Sequence, residues 1–177
     1  GQVQERKGVD DFAKMAKANP DIQFIWAGGF SFGKITDGYD HYKKLVDNPP
    51  KNLKFTGIVN REKLVDYLNM ADLFVLPSYD ELFPMSVLEA FSCGTPVLLR
   101  DLDLYKAIID GYYMSGKNFE EMDQVLKHVI NNPAVLKKYS DLSLKASDEY
   151  SEDNLTNIWS DFYHEQYDLG RKLGQIR

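Results

Sequence analysis

Residues 72–98, DLFVLPSYDELFPMSVLEAFSCGTPVL, constrain the fold more than any other stretch of the chain. The apolar run Leu73-Phe74-Val75-Leu76 reads as a buried strand and opens into a polar loop that carries Glu81. A helix is expected from Pro84 to Ser92, because proline in a first helical turn gives up an N–H that has no partner there. That helix carries Glu89, and a second apolar strand follows over Pro96–Leu99. Strand, helix and strand in such close succession make a βαβ unit, which places the two strands parallel.

The same alternation fills the first 115 residues. Val9, Phe12, Ala13 and Ala16 recur at helical spacing, and Asn19-Pro20-Asp21 ends that helix. Ile22–Ala27 reads as a buried strand stopped by Gly28-Gly29. A helix is expected over 37–47, a short strand over Leu53–Thr56, and a helix over Arg61–Ala71 capped by Asn60. Leu104–Ile109 reads as a short helix and Tyr112–Ser115 as a last strand. The expected fold class is therefore α/β: a Rossmann-like, doubly wound parallel sheet with helices on both faces. Residues 118–131, 133–150 and 152–169 read as three successive helices that end the chain. The whole of 1–177 is expected to form a single domain, and it is expected to be a piece of a longer protein, since Gly1-Gln2-Val3 looks like the end of a strand.

Composition removes several function classes. A net charge of −6 argues against a nucleic-acid partner held on a basic face. The lone Cys93 rules out an intrachain disulfide or a cysteine zinc site, and fits a reducing cytoplasm. No apolar run approaches the roughly 20 residues of a membrane span.

Ligands of doubly wound sheets bind beyond the carboxyl ends of the strands, and the Leu76-to-Pro84 loop sits at such an end. An isolated pair of glutamates eight residues apart is ordinarily one loop charge and one solvated helix charge. Here the first-turn amides of Met85, Ser86 and Val87 would form an anion site, and Glu89 lies a turn further along the same face. A helix start of this kind can hold a diphosphate with a ribose beside it, since a carboxylate accepts paired hydrogen bonds from vicinal hydroxyls. Glu81, across the phosphates, can reach a sugar. Arg6-Lys7-Gly8 puts two cations where the first helix begins, an arrangement that its dipole opposes unless an anion is bound. Gly28-Gly29 fits either a plain turn or a loop close to a ligand. Asp101-Leu102-Asp103 is read as loop or helix capping and not as a metal site, because no further oxygen ligands are evident nearby. His41, His128 and His164 have no useful partner spacing, and the aromatics Trp159, Phe162, Tyr163 and Tyr167 of the last helix read as core.

Residues 1–169 resemble the donor-binding half of GT-B glycosyltransferases, specifically the retaining nucleotide-sugar enzymes of family 4. The resemblance rests on Pro77-Ser78, on the run Glu81-Leu82-Phe83-Pro84-Met85-Ser86-Val87-Leu88-Glu89, on Ala90, and on Gly94-Thr95-Pro96-Val97. It implies that Glu89 binds the donor ribose and that Glu81 contacts the donor sugar near the reacting centre. It further implies that the backbone between them, over Phe83, Pro84, Met85 and Ser86, holds the phosphates. Lys7 matches the family's diphosphate-neutralising lysine. Gln2 stands where the family has an arginine, with Arg6 as the candidate replacement. Phe55-Thr56-Gly57-Ile58-Val59 resembles the element whose backbone, at Ile58 and Val59, holds the base, and Gly28-Gly29 falls where a glycine-rich loop approaches the donor.

The resemblance implies transfer of a hexose from a nucleoside diphosphate sugar with retention, without a metal or other cofactor. Ala27–Gly33 and Arg100–Tyr105 are similar to Gram-positive glucosyltransferases acting on diacylglycerol, which make glycolipid anchors for lipoteichoic acid at the inner membrane face. UDP-glucose is then the expected donor and a lipid the expected acceptor, bound through an amino-terminal domain outside this chain. Membrane contact would be peripheral and mainly outside it too. Residues 151–177 would form the region that crosses back to that domain, and the isolated chain would bind nucleotide with little transfer. The alternatives are a transferase to a polysaccharide or other glycan, a nucleotide-sugar 2-epimerase, and a non-enzymatic sugar-nucleotide-binding module.

Overall fold

The computed structural model describes residues 1–83 and 85–175. Five short parallel strands and eight α-helices alternate along it: α1 (Val9–Ala18), β1 (Phe24–Trp26), α2 (Tyr39–Asp47), β2 (Leu53–Phe55), α3 (Arg61–Met70), β3 (Phe74–Leu76), α4 (Met85–Ser92), β4 (Val97–Arg100), α5 (Asp103–Ile109), β5 (Met114–Gly116), α6 (Phe119–Ile130), α7 (Pro133–Glu149) and α8 (Glu152–Lys172). Every strand and helix expected from the sequence is present, with ends displaced by a few residues. Two single-turn 3-10 helices, Glu5–Lys7 and Gly33–Ile35, lie in segments too short to show a period.

Helix starts follow side-chain chemistry. The carboxamides of Asn60, Asn118 and Asn132 and the Ser151 hydroxyl accept from first-turn amides of α3, α6, α7 and α8. Pro133 occupies the first turn of α7, where a missing N–H costs nothing.

The sheet departs from expectation. The strands form two parallel groups, β1 with β2 and β3–β4–β5, instead of one continuous sheet. Between them, residues 1–3 make only the beginning of a ladder: the Val3 N–H donates to the Gly29 carbonyl and the Gly1 amine to the Ala27 carbonyl.

Strand β4 is buried at all four positions and divides the core. Leu98 faces Val9, Phe12, Phe24, Trp26 and Leu126 on the α1/α6 side. Val97 and Leu99 face Leu68, Val87, Phe91 and Tyr105 on the α3/α4/α5 side. Helix α7 closes onto α4, with the Ser143 hydroxyl donating to the Thr95 carbonyl (2.8 Å) and the Thr95 hydroxyl donating to the Leu68 carbonyl (2.9 Å). The last-helix aromatics are not core. Trp159 (55% exposed) and Tyr163 (65%) stand on an open face, with Phe162 and Tyr167 beside them. The reason is that α8 is exposed at every position from Leu155 to Leu169, so its apolar residues have no facing element among the described residues.

Candidate functional site

Two chain crossings build the site. The first joins the start of α1 to the end of β3. Gly8 turns the chain from the 3-10 helix into α1 with φ +70°, and a methyl group on its Cα would stand 2.1 Å from the Pro77 carbonyl oxygen. The Tyr79 N–H donates to the Arg6 carbonyl (2.9 Å). These contacts fix residues 5–8 against the 77–81 loop. Residues far apart in sequence thereby meet: Lys7 Nζ lies 2.5 Å from Glu81 Oε1, and Arg6 Nη1 lies 3.7 Å from Glu81 Oε2 and donates to the Asp80 carbonyl (3.0 Å). The Glu81 carboxylate is 6% exposed and the Lys7 side chain 17%, so this pair is largely shielded from water.

The loop that carries Glu81 is braced from beneath by a buried network. Arg100, at the end of β4, donates to the Pro77 carbonyl (Nε, 3.0 Å), the Lys117 carbonyl (Nη1, 3.0 Å) and Asp11 Oδ2 (Nη2, 2.6 Å). Its guanidinium stacks 4.1 Å from the Tyr79 ring centre. Asp11 also accepts from the Tyr79 hydroxyl (2.8 Å) and from Lys14 (3.0 Å). Burial pushes the Asp11 carboxyl up, but the hydrogen bonds from Lys14, Tyr79 and Arg100 outweigh it, so its pKa lies below the ordinary carboxylate value. Tyr105 stands nearby, fully buried, its hydroxyl without a hydrogen-bond partner among the described residues and its pKa raised by burial and then by the Glu81 charge.

The second crossing brings the ends of β1 and β2 together. Gly28 N–H donates to the Thr56 hydroxyl (3.3 Å), and Gly28 bridges Gly57. Gly28 has φ +147°, and a methyl group on it would overlap the Gly1 carbonyl, so only glycine fits. Gly29 lies close enough to Ile58 for a side chain to press on the Ile58 N–H (3.2 Å).

A cleft of about 600 Å³ runs from these crossings into the interior. Gln2, Lys7, Gly28, Gly29, Ile58, Val59 and Ser86 line it, so seven of the residues singled out from sequence share one cavity. Arg6 and Glu81 join it through Lys7. Met85 is 56% exposed at the start of α4, whose first-turn amides have no acceptor within the helix. Phe83 leans toward Tyr150, with ring centres 6.4 Å apart. Glu89 sits one turn into α4, 3.4 Å from the guanidinium of Arg61, which opens α3. Pro84 lies outside the described residues.

Asp101 lies in the loop before α5, the first of the two readings given for it, and does not cap the helix. Leu102, not Asp101, precedes α5 as its cap residue, and no side chain caps that helix. Asp101 instead pairs with Lys106 (2.8 Å), as does Asp103 at 3.6 Å. His41 also has a partner the spacing did not suggest, Asp10 of α1 at 2.9 Å. Sequence reasoning missed the Asp11–Arg100–Tyr79 brace and the Arg61–Glu89 pair. A charge closing the apolar run Val97–Leu99 was the one available sign of Arg100's role.

A helix start with open first-turn amides, a cationic pair and two carboxylates gathered near the carboxyl ends of parallel strands is a layout that Rossmann-like folds use to bind nucleotides. Residues 1–147 match the family described as Glycosyl transferases group 1. The chain belongs to that family. It is 56% identical over 172 residues to alpha-galactosylglucosyldiacylglycerol synthase of Streptococcus pneumoniae (strain ATCC BAA-255 / R6), covering 97% of this chain and 46% of that protein. It is 32% identical over 134 residues to the processive diacylglycerol alpha-glucosyltransferase of Acholeplasma laidlawii, covering 74% of this chain and 39% of the other. The chain therefore spans less than half the length of either relative. Among solved structures, sucrose-phosphate synthase from Thermosynechococcus elongatus superposes with a TM-score of 0.76 at 17% identity, covering 96% of this chain and 44% of that one. Anabaena HepE, solved in complex with UDP and glucose, superposes with the same score at 16% identity, covering 94% and 46%. At such low identities the superpositions speak to fold: the chain has the Rossmann-like fold of one half of a GT-B enzyme.

Proposed function

We propose that this chain is the donor-binding half of a retaining glycosyltransferase that moves a hexose from a UDP-sugar to a diacylglycerol-type lipid. The observation that carries the reading is the shielded Lys7–Glu81 pair at the mouth of the cleft, beside the start of α4. In this reading Lys7, with Arg6 in the place of the family's second cation, neutralises the diphosphate while the amides of Met85 and Ser86 hold its oxygens. Glu89 turns from Arg61 to the ribose hydroxyls, and the main chain at Ile58 and Val59 takes the base. Gln2, Gly28 and Gly29 form the wall against which the donor lies. Glu81 positions the sugar and stabilises positive charge developing at its anomeric carbon. With the leaving-group charge met by Lys7 and the backbone, no metal or other cofactor is needed.

The acceptor and its share of the catalytic groups belong to a further domain, with residues 151–177 crossing back to it. The exposed aromatic stripe of α8 supports that role. No helix among the described residues is long and apolar enough to cross a membrane, so contact with a lipid acceptor is taken as peripheral, at the cytoplasmic face. Glucose is the donor sugar suggested by the sequence and by the Acholeplasma relative's name. A second reading, galactose added to a glucosyldiacylglycerol, is favoured by the name of the 56% identical relative. The test is transfer by the full-length polypeptide, from radiolabelled UDP-glucose or UDP-galactose, to vesicles containing diacylglycerol or glucosyldiacylglycerol. An α-linked glycolipid product supports the proposal, and the productive donor and acceptor choose between the two sugars. Failure with every lipid, alongside transfer to a soluble glycan or epimerisation of the free nucleotide sugar, would refute it.

A further inference from the structure

Two hydroxyls near the Glu81 loop, those of Ser78 and Tyr105, are buried without a hydrogen-bond partner among the described residues. Buried hydroxyls left unpaired are destabilising, so each calls for a partner met in some other state of the protein. Both lie on the same side of the sheet. Tyr79 turns its ring onto Arg100 and its hydroxyl to Asp11, on the α1 side. Ser78, one residue earlier, is turned the opposite way, as Leu76 is. Tyr105 belongs to the core cluster of that opposite side, with Leu76, Val87 and Leu99. It stands in the first turn of α5, which begins just past the end of β4. Helical side chains lean toward the amino end of their helix, which aims the Tyr105 hydroxyl at the carboxyl ends of the strands, where the 77–81 loop lies. Burial and then the Glu81 charge raise its pKa, so it is a neutral donor within the field of that carboxylate.

Glu81 needs such donors in one circumstance. Its carboxylate, 6% exposed, is met by Lys7 and Arg6. These are the two cations that a diphosphate would claim. Once they turn to the ligand, the carboxylate stays shielded from water but loses its counter-charges, which is unfavourable unless other donors reach it. An ionised carboxylate has about four acceptor sites, so two protein hydroxyls still leave room for the hydroxyls of a sugar.

We propose that Tyr105, with Ser78, is a positioning residue for Glu81: their hydroxyls donate to its carboxylate when Lys7 and Arg6 are drawn to a bound diphosphate. The hydroxyls then hold the carboxylate ionised and in place at the sugar end of the cleft. They stay unpaired as long as the two cations hold Glu81. The occasion for the exchange rests on the nucleotide-sugar reading, whereas the bond between Tyr105 and a Glu81 without its cations does not.

Substituting both cations, Arg6→Ala with Lys7→Ala, reproduces their departure without any nucleotide. Urea denaturation at neutral pH then compares wild type and this double variant, each with and without Tyr105→Phe. In wild type, Tyr105→Phe should leave the folding equilibrium constant unchanged or raise it, because an unpaired hydroxyl is removed. Without the cations it should lower that constant at least ~10-fold, the loss of a hydrogen bond to a charged group. Adding Glu81→Ala should abolish this loss. Titration with UDP gives a second reading if the double variant folds poorly. Tyr105→Phe should raise the UDP dissociation constant at least ~5-fold, and should not do so alongside Glu81→Ala. If wild type binds no UDP, the donor reading fails and the urea comparison alone decides on Tyr105. An equal loss from Tyr105→Phe in every background would show a hydroxyl already paired, for example with a buried water, and would overturn the proposal. So would no loss without the cations, a loss that persists with Glu81→Ala, or an unchanged dissociation constant where wild type binds UDP.

Discussion

Removing the carboxylate charge of Asp11 should destabilise the chain far more than a surface substitution, and should loosen the donor site in the same stroke. In Asp11→Asn the guanidinium of Arg100, 7% exposed, keeps its bonds to the Pro77 and Lys117 carbonyls but loses the anion 2.6 Å away. Breaking a buried pair from one side costs about 3–5 kcal/mol, because the remaining charge is left without compensation. At about 2–4 °C per kcal/mol for a chain of this size, the melting midpoint should fall by roughly 6–20 °C. Replacing both members, Asp11→Leu with Arg100→Met, removes the stranded charge. That double variant should lose less than the sum of the two single losses, by at least about 1 kcal/mol. Urea denaturation of wild type, Asp11→Asn, Asp11→Leu, Arg100→Met and the double variant measures each term. The same network holds Tyr79, whose N–H fixes the Arg6 carbonyl, so Asp11→Asn should also weaken UDP binding at temperatures where it is folded. A loss under about 1 kcal/mol for Asp11→Asn, or strictly additive singles, would refute the brace.

Further outcomes follow from the same geometry. Asp11's lowered pKa makes its stabilisation complete above its unfolded value of about 4, and that stabilisation is lost as pH falls through the folded value. Wild type and Asp11→Asn should therefore differ at neutral pH and converge in acid, as denaturant titrations at about pH 7 and 2.5 would show. Gly8→Ala forces a Cβ against the Pro77 carbonyl at φ +70°, whereas Gly33→Ala at φ +55° meets nothing within 4 Å. Thermal melts should show Gly33→Ala costing the ~1–2 kcal/mol of a left-handed L residue and Gly8→Ala at least twice that. Lys7→Ala removes a charge-assisted bond to the donor phosphates worth about 1.5–3 kcal/mol, so the dissociation constant for UDP should rise roughly 10- to 150-fold by fluorescence titration.

Much of this fold is written in short-range pattern. Apolar runs such as Val97–Leu99 are buried strands because both sheet faces are covered, and Asn60 and Ser151 open helices because their side chains satisfy first-turn amides. The split between β1 and β3 was not legible, since strand order is a property of pairing and not of any one segment. Among the residues singled out, Lys7, Gly28, Val59 and Ser86 do line one cleft, because strand ends and helix starts at the carboxyl edge of a parallel sheet gather loops that are distant in sequence. Arg61 on Glu89, and Arg100 with Asp11 under the Glu81 loop, were not, because those partners lie 28 and 89 positions apart and no local period connects them. The α8 aromatics misled for the opposite reason: Trp159 and Phe162 have core spacing, but spacing does not say which element supplies the facing surface.

The central claim is that Lys7, the α4 start and Glu89 make a site for a nucleoside diphosphate sugar. Isothermal titration of the 177-residue chain with UDP, UDP-glucose, UDP-galactose, GDP-mannose and ADP-glucose tests it most directly, with Glu89→Ala and the surface variant Glu120→Ala alongside. The account predicts one-to-one binding with a preference for uridine nucleotides, weakened roughly 10- to 150-fold by Glu89→Ala as a charged hydrogen-bond acceptor is lost, and unchanged by Glu120→Ala. Binding of no nucleotide, or binding that Glu89→Ala leaves intact, would contradict it.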